Sequence, residues 1–310
     1  MKKITTAWAC LILFLGLTQK AAAQYYFYDD SYYDNPAMFE IGATVGAMNC
    51  LTDLGGKQGI GKRFIKDLNY GKTQTVFGGY FAFLYKNAFG ARFEANFGKV
   101  SADDDVLSTV PSEDMAARRY NRHLNFQSNI TEFALVAELH PFFAFIDWEN
   151  RDDEPPRYSP YLLGGIGYYS FNPQAMLDNR LIDLQPLSTE GQGFKEYPDR
   201  QVYKLKQYNF PVGLGLKYEL SPLVNLRGEF QYRILTTDYL DDCSRDYIDP
   251  AAFAANGFSG VKLQNAIKLY DRQITHVAGP GGKRGSPTQK DSFFSFNLRI
   301  GITLGRERIR

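Results

Sequence analysis

The chain has 310 residues, of which 15% are aromatic, and its 35 Lys and Arg nearly balance its 34 Asp and Glu. This balance lacks the basic excess typical of nucleic-acid-binding proteins, so we expect no nucleic-acid partner. A hydrophobic share of 44% is too high for a disordered chain, and a mean hydropathy of -0.34 argues against a bundle of membrane helices. Many aromatic residues beside 28 glycines favour a β-rich protein, a class that includes membrane barrels.

The first residues predict export. Lys2 and Lys3 precede an apolar run over 7–17, and Ala21-Ala22-Ala23 follows. A basic start, a short apolar segment and a small-residue cleavage site predict a signal peptide over 1–23. A Tyr-rich leader over 24–38 comes next. Because no later segment approaches the roughly 20 apolar residues of a membrane helix, we expect any membrane crossing to use strands.

Stretches of alternating polar and apolar residues follow and predict β-strands. In the clearest, every even position from Phe294 to Leu304 is apolar and the odd positions are Ser, Asn, Arg, Gly and Thr. Most are long enough for a tilted membrane crossing of about 9–11 residues. The eight predicted strands cover 39–50, 73–86, 89–100, 125–141, 158–171, 208–220, 224–234 and 294–304.

The connections between these strands alternate in length. The long ones are 51–72, 101–124, 172–207 and 239–291, and the shorter ones are 87–88, 142–157 and 221–222. Outer-membrane barrels have long external loops and short periplasmic turns, whereas a secreted β-sandwich has no reason for this parity. The sequence therefore predicts an all-β fold, an eight-stranded antiparallel transmembrane β-barrel with long extracellular loops over 39–305, in the bacterial outer membrane. A basic periplasmic tail, 306–310, would follow.

The two faces of the strands acquire roles in such a barrel. Apolar residues would face lipid, and tyrosines would form interfacial girdles: Tyr80, Tyr85, Tyr168, Tyr169, Tyr218 and Tyr232. Charged residues would face the lumen: Glu40, Arg92, Glu94, Glu132, Glu138, Lys217, Glu219, Arg227, Glu229, Arg233 and Arg299. Since an eight-stranded barrel is barely wide enough for its own side chains, we expect these charges to pair and plug the lumen. A conducting pore or a catalytic carboxylate pair is the alternative.

The sequence predicts no catalytic, cofactor-binding or metal-binding residue, and hence no enzyme. The three histidines are dispersed without a ligand spacing, and no G-x-S-x-G nucleophile motif occurs. The acidic run over 238–249 lacks the spacing and the glycine of an EF-hand, so we expect a solvated loop there. The glycine-rich segment 279–285 predicts flexibility.

Two features could tie the loops to other groups. Cys50 and Cys243 fall near the external ends of the first and seventh strands, where an exported protein could form a disulfide. Because those strands are not neighbours in an eight-stranded ring, two unpaired thiols are the alternative. Trp148 lies in the longest of the short connections and could anchor a periplasmic partner. The alternative is an interfacial Trp in an ordinary turn.

Five segments resemble one known family. They are Arg122-His123-Leu124-Asn125-Phe126, Gly164 to Pro173, Leu184 to Gly193, Phe210 to Gly215, and Thr237-Asp238-Tyr239-Leu240-Asp241-Asp242. Together they resemble the PorG-like outer-membrane β-barrels of Bacteroidota, which are associated with the type IX secretion system. The resemblance implies a non-enzymatic component that sits among outer-membrane lipid and contacts the periplasmic ring of the secretion and gliding machinery, which includes a lipoprotein. Cys243, directly after the acidic motif, and the tail 306–310 depart from the family pattern.

Two loop motifs leave the fifth and seventh strands on the same external side. They contain Thr189, Glu190, Gly191 and Gln192 in one loop, and Thr237, Asp238, Tyr239, Asp241 and Asp242 in the other. We expect them to fold over the barrel mouth as a lid held by Asp and Thr hydrogen bonds, with ligand binding as the alternative. The alternative function is a surface barrel whose long loops bind an extracellular ligand or host component, unrelated to secretion.

Overall fold

The computed structural model describes residues 36–57, 70–146, 148, 156–288 and 290–304. The predicted signal peptide, residues 24–35 of the leader and the basic tail 306–310 lie outside these residues.

The described residues form a closed antiparallel β-barrel of eight long strands, which confirms the predicted fold class. Its strands are β1 Ala37–Leu51, β2 Gln74–Tyr85, β3 Phe89–Asp103, β4 Asn125–Leu139, β5 Tyr158–Ser170, β8 Lys206–Ser221, β9 Val224–Leu235 and β10 Ser292–Leu304. Each strand pairs with the next barrel strand along the chain, and β1 pairs with β10 from Phe39↔Leu304 to Leu51↔Ser292 to close the ring. A short hairpin, β6 Gln174–Leu177 and β7 Arg180–Asp183, stands in the loop between β5 and β8.

Alternation along the strands sets what faces out and what faces in. In β10, Leu298 is 60% exposed whereas its neighbour Arg299 is fully buried. The same pattern repeats around the ring, so the outside carries a belt of Phe, Leu, Ile and Val and the inside is polar. A soluble barrel would show the reverse, and this arrangement suits lipid outside and a filled lumen inside.

The tyrosine girdle is only partly as predicted. Tyr85, Tyr168 and Tyr218 are exposed on the outer face, but Tyr80 and Tyr169 are buried inside the barrel, so the prediction for these two is wrong. The physical reason is the pleat: successive side chains point to opposite faces, so Tyr168 and Tyr169 cannot both face lipid. Tyr80 shares the inner face of β2 with Val76 and Ala82.

The two ends of the barrel differ, as the loop parity predicts. At one end, Lys86 and Asn87 adopt left-handed φ angles of 51° and 55°, which suit a tight hairpin turn. The turn after β4 at the same end contains a single helical turn, α2 Pro141–Ala144. The described parts of the long loops lie at the opposite end, which is the external side in outer-membrane barrels.

The long loops fold into a layer that we call the cap, made of residues 52–57, 70–73, 104–124, 171–205, 236–288 and 290–291. It contains α1 Ala117–Arg122, α3 Ala251–Ala255 and α4 Gly260–Tyr270, together with 3-10 turns at Tyr70–Lys72, Asp104–Leu107 and Gln185–Leu187. None of the helices in the described ranges is long and apolar enough to cross a membrane. These helices have no counterpart in the sequence-based prediction.

The core of the cap continues into the barrel mouth. One apolar cluster joins strand residues such as Met48, Ile130 and Phe293 to Leu240 and Phe253 of the cap. Part of the segment 279–285 is held in place, because Arg284 is 3% exposed and Tyr247 exchanges backbone hydrogen bonds with Gly281 and Gly282; its flexibility stays a prediction. The cap is therefore a packed layer seated on the barrel.

Candidate functional site

Below the cap, charged side chains fill the lumen of the barrel. The strands within the described ranges bury five acidic and five basic residues: Glu40, Glu94, Glu132, Glu138 and Glu229, and Arg92, Lys217, Arg227, Arg233 and Arg299. Each of the five carboxylates lies within ion-pair distance of one or more of the basic groups. The predicted pairing is confirmed. Glu219, near the turn end, is half-buried.

Arginines connect the opposite walls of this network. Arg92 pairs with Glu138 and with Glu229, the latter at 2.8 Å between Nη2 and Oε2. Arg227 donates from Nε and Nη2 to the two oxygens of Glu40, both at 2.9 Å, and from Nη1 to Glu138 at 2.8 Å. Because buried charges are costly unless they are paired, this network stabilises the filled barrel only as a complete set.

Two buried tyrosines complete the network. Tyr80 donates its hydroxyl hydrogen to Glu40 and Tyr161 donates to Glu229, at 2.5 and 2.8 Å. The ring of Tyr80 also lies 5.4 Å from the Arg299 guanidinium, within cation–π range. Gly42 makes room for this ring, since a Cβ on Gly42 would lie 2.5 Å from it.

The two loop motifs meet inside the cap. The Thr189 hydroxyl donates to the Asp242 carboxylate, and the Tyr203 hydroxyl donates to the same carboxylate at 2.7 Å. Tyr239 stacks on Tyr203 with a centroid distance of 4.8 Å. Thr237 accepts a hydrogen bond from the backbone N–H of Tyr239 at 3.2 Å. The structure thus places an Asp–Thr hydrogen bond between the two motifs; whether it serves as a lid stays a prediction.

Glu190 is a buried carboxylate of the cap with three donors. It accepts from the backbone N–H groups of Ser244 and Arg245 at 3.0 and 2.9 Å, and from the Arg284 guanidinium at 2.8 Å. Gln192 accepts from the N–H of Glu190 at 3.1 Å. Gly191 has a φ of +74°, a left-handed conformation that favours glycine. A Cβ at this position would also lie 2.8 Å from the Tyr197 ring, so the turn requires a glycine.

Two buried arginines that sequence reasoning missed hold the cap segments together. Arg122, at the end of α1, forms two hydrogen bonds with Asp104 at 2.9 and 2.8 Å and donates to the carbonyl oxygens of Asp53 and Arg284. Arg284 also donates to the carbonyl oxygen of Asp242 at 2.7 Å. Arg122 stood in a segment that carried the family resemblance, but Arg284 lies in a glycine-rich stretch that gives no such signal.

Four aspartates at the barrel mouth form a cluster that we call the acidic junction: Asp53, Asp238, Asp241 and Asp291. Burial and the neighbouring carboxylates raise the pKa of Asp53 to about 6 and that of Asp238 to about 7. Burial and the same neighbours raise the pKa of Asp241 and Asp291 well above the ordinary value of Asp. The expectation of a solvated loop is wrong for Asp241, which is 2% exposed, and for the fully buried Asp242.

The cysteines are not joined. Cys50 and Cys243 are both buried free thiols, so the disulfide left open by the sequence is not formed. The Cys50 thiol lies 3.7 Å from the carbonyl oxygen of Ser101, while the Cys243 thiol lies 3.3 Å from that of Arg284. Each thiol thus has its own backbone partner.

Trp148 contacts its own turn. Its indole N–H donates to the carbonyl oxygen of Phe142 at 2.8 Å, and its ring lies 6.4 Å from that of Phe143. The side chain is half-buried, and residues 147 and 149–155 lie outside the described residues. A role in partner contact stays a prediction.

No arrangement of three or more His, Cys, Asp or Glu side chains suited to a metal ion occurs within the described residues. His140 illustrates a structural alternative: its Nδ1 lies 2.8 Å from the Ser159 hydroxyl, and its ring stacks on Tyr161 at 4.9 Å. The functional features of the described chain are therefore the filled lumen and the cap.

The fold and these features define a class: an outer-membrane-type, eight-stranded β-barrel with a filled lumen and a folded external cap. No family model and no curated protein matches the chain.

Solved structures of outer-membrane barrels align with most of the chain at low similarity. A major outer membrane protein of Thermus thermophilus has 13% identity and a TM-score of 0.38, over 87% of this chain and 100% of that one. The N-terminal β-barrel domain of Pseudomonas aeruginosa OprF has 10% identity and a TM-score of 0.33, over 87% and 98%. Ail, the attachment invasion locus protein of Yersinia pestis, has 10% identity and a TM-score of 0.33, over 86% and 97%. Similarity at this level concerns the fold alone.

Proposed function

We propose that the protein is a non-enzymatic outer-membrane barrel, closed to solutes, that acts as a structural and interaction component of the type IX secretion machinery. The observation that carries this proposal is the position of the motif residues. Thr189, Glu190 and Asp242 are buried in the core of the cap, where they bond to one another's loops. Residues used in this way stabilise a scaffold, and they leave the outer surfaces of the protein for contact.

The filled lumen supports the closed state. Seven of the eight barrel strands bury polar or charged side chains, β2 adds the Tyr80 hydroxyl, and the carboxylates of the lumen are ion-paired. Solutes would have to break buried ion pairs to pass. We expect purified protein in planar bilayers to give no steady single-channel current in 1 M salt; long-lived open channels of uniform size would contradict the closed barrel.

The assignment to secretion is supported by the sequence resemblance, and the periplasmic turns are the surfaces that a periplasmic ring could reach. Its test is a tagged copy expressed in its own host and recovered from detergent-solubilised membranes. We expect periplasmic ring proteins, including a lipoprotein, to co-purify, and deletion of the gene to block export of cargo. Intact export in the deletion strain would contradict the assignment.

Variants in the turn that contains Trp148 test whether this turn contacts the periplasmic ring. Trp148→Ala should reduce recovery of the ring if this turn is the contact, whereas Phe145→Ala is a matched aromatic control in the same turn. Phe145 is 78% exposed and lies three residues away. Equal recovery with both variants and the wild type would remove the turn from the contact surface while leaving the secretion role to the deletion experiment.

A surface barrel that binds an extracellular ligand is the second candidate. The size of the cap favours it, since 236–291 alone supplies two helices and a packed core at the external face. It predicts normal export in the deletion strain and loss of ligand binding when 251–277 is replaced by a short linker.

A further inference from the structure

The acidic junction brings carboxylates from three chain segments within electrostatic reach of one another. Asp53 follows β1, Asp238 and Asp241 follow β9, and Asp291 precedes β10. Each carboxylate has a neutral donor: Ser286 N–H for Asp53, the Ser244 hydroxyl for Asp238, Cys243 N–H for Asp241 and Leu240 N–H for Asp291, at 2.5, 2.7, 2.9 and 2.8 Å. Among the described residues, none of the four lies within ion-pair distance of a Lys, Arg or His side chain.

Two oxygens of the junction have no hydrogen-bond partner. Asp241 is 2% exposed, and its Oδ2 has no hydrogen-bond partner in the structure. A buried carboxylate oxygen without a donor is costly as an anion, because it has lost water and gained nothing in return. Oδ1 of the half-buried Asp238 is in the same situation. A bound proton would remove the charge on either group.

The charged groups that face the junction do not neutralise it. The positive charge of Arg122 lowers the pKa of Asp53 and of Asp241, but its guanidinium already forms two hydrogen bonds with Asp104. The positive charge of Lys283 also lowers the pKa of Asp53. The remaining facing groups are the Glu190 carboxylate, which adds negative charge, and the Cys50 thiol. The buried charged residues outside the described strands are also unequal in number. Two are arginines, Arg122 and Arg284, and five are acidic: Asp104, Glu190, Asp241, Asp242 and Asp291.

We propose that the acidic junction takes up protons when the cap closes on the barrel, so that the cap is held more tightly in acid than in alkali. The inference concerns the cap alone and does not depend on the secretion role. The raised pKa values fix the sign. A carboxyl whose pKa is higher in the closed cap than in an opened one stabilises the closed cap fully below the ordinary Asp pKa. That stabilisation is lost as the pH rises through the closed-state values of about 6 for Asp53 and about 7 for Asp238.

Hydrogen exchange of the full-length protein, folded in liposomes with EDTA present, tests this proposal from pH 5 to pH 8.5. The reporter amides are Leu240 and Cys243, whose N–H groups bond to junction carboxylates. Protection factors, which correct for the intrinsic effect of pH on exchange, should fall by about tenfold per pH unit for each proton released on opening. Amides in the middle of β10, such as that of Leu298, are the internal control and should keep their protection. A pH-independent protection factor at the reporter amides would overturn the proposal.

Isosteric variants assign the effect to the junction. Asp241→Asn keeps the shape but removes the titrating group, so the slope at Leu240 should drop by about one proton. Asp238→Asn is the second variant, in case the first does not fold. The control is Asp178→Asn, which removes an exposed cap carboxylate that pairs with Lys268 at 3.2 Å. An unchanged slope in both junction variants, or an equal drop in the control, would show that protons bind elsewhere and would refute the assignment.

Discussion

The lumen and the cap solve the problem of buried charge in different ways. In the lumen, the buried acids and bases of the described strands are equal in number, and each carboxylate has a cationic partner. In the cap, buried acids outnumber arginines, and the acidic junction has only neutral donors. The lumen is surrounded by lipid, where uncompensated charge is costly, whereas the cap borders water and can exchange protons with it. The difference shows that a polar interior can be fixed by ion pairs or left to respond to solution conditions.

The largest expected effect comes from opening one ion pair in the lumen. Arg227→Met leaves Glu40 without its main partner and takes one of two arginines from Glu138, so the free energy of unfolding should fall by about 3–5 kcal/mol. Urea unfolding in liposomes, followed by the fluorescence of Trp148, measures this. Arg157→Ala, at an exposed position near the turn end, is the control and should stay near the wild type. A loss below about 1 kcal/mol for Arg227→Met would show that the lumen is not held by its ion pairs.

The corresponding change in the cap should be smaller and local. Arg284→Ala removes one donor from Glu190 and the hydrogen bonds to the carbonyl oxygens of Asp242 and Tyr270, but the backbone N–H groups of Ser244 and Arg245 still bind Glu190. We therefore expect the cap to lose about 1.5–3 kcal/mol while the barrel keeps its unfolding midpoint. Limited proteolysis of the cap, read beside heat-modifiable migration of the barrel, separates the two. The control is Arg245→Ala, which breaks only a partly exposed pair with Asp199. Loss of heat-modifiable migration in Arg284→Ala would show that the cap and barrel unfold as one unit.

The smallest effect tests packing rather than charge. Gly42→Ala would place a methyl group close to the Ile300 carbonyl oxygen on β10 and 2.5 Å from the Tyr80 ring in the lumen, and we expect it to cost about 1–3 kcal/mol in the same urea experiment. Gly228→Ala is a matched control because its added Cβ would meet nothing within 4 Å on the lipid-facing side. Equal stabilities of the two variants would mean that both the Tyr80 ring and the backbone of β10 yield easily around position 42.

The barrel could be predicted from the sequence because its determinants are local. Alternation in β10 separates Leu298 from Arg299, and the loop parity needs only the strand positions. The prediction is wrong where tyrosines were assigned by chemical type instead of position. Tyr80 is a residue type common in aromatic girdles, but its place in the alternation of β2 puts it on the face that points into the lumen. Counting alternate residues along β2, as for the other strands, places Tyr80 on the inner face.

The cap was beyond prediction because its determinants are distant in sequence. Arg284 reaches Glu190 across 94 residues, and no pattern within 279–285 announces a buried side chain. Asp241 looks like a solvated loop residue until the chain on either side covers it. The loop motifs could be singled out from the sequence, and so could a bond between Asp and Thr, but the acidic junction also needs Asp53 and Asp291, which lie at the ends of other loops.

The placement of lumen charges along the chain has a consequence for assembly. The buried charges of β1 to β4 are four glutamates and a single arginine, whereas those of the four later barrel strands are four cations and a single glutamate. The buried side chains of the first four strands thus carry a net negative charge, and those of the later four carry a net positive charge of the same size. A truncated or half-inserted barrel would hold several like charges without counter-charges, and the arrival of β8, β9 and β10 cancels them. Partly built barrels are therefore disfavoured, and the inserted state becomes close to all-or-none.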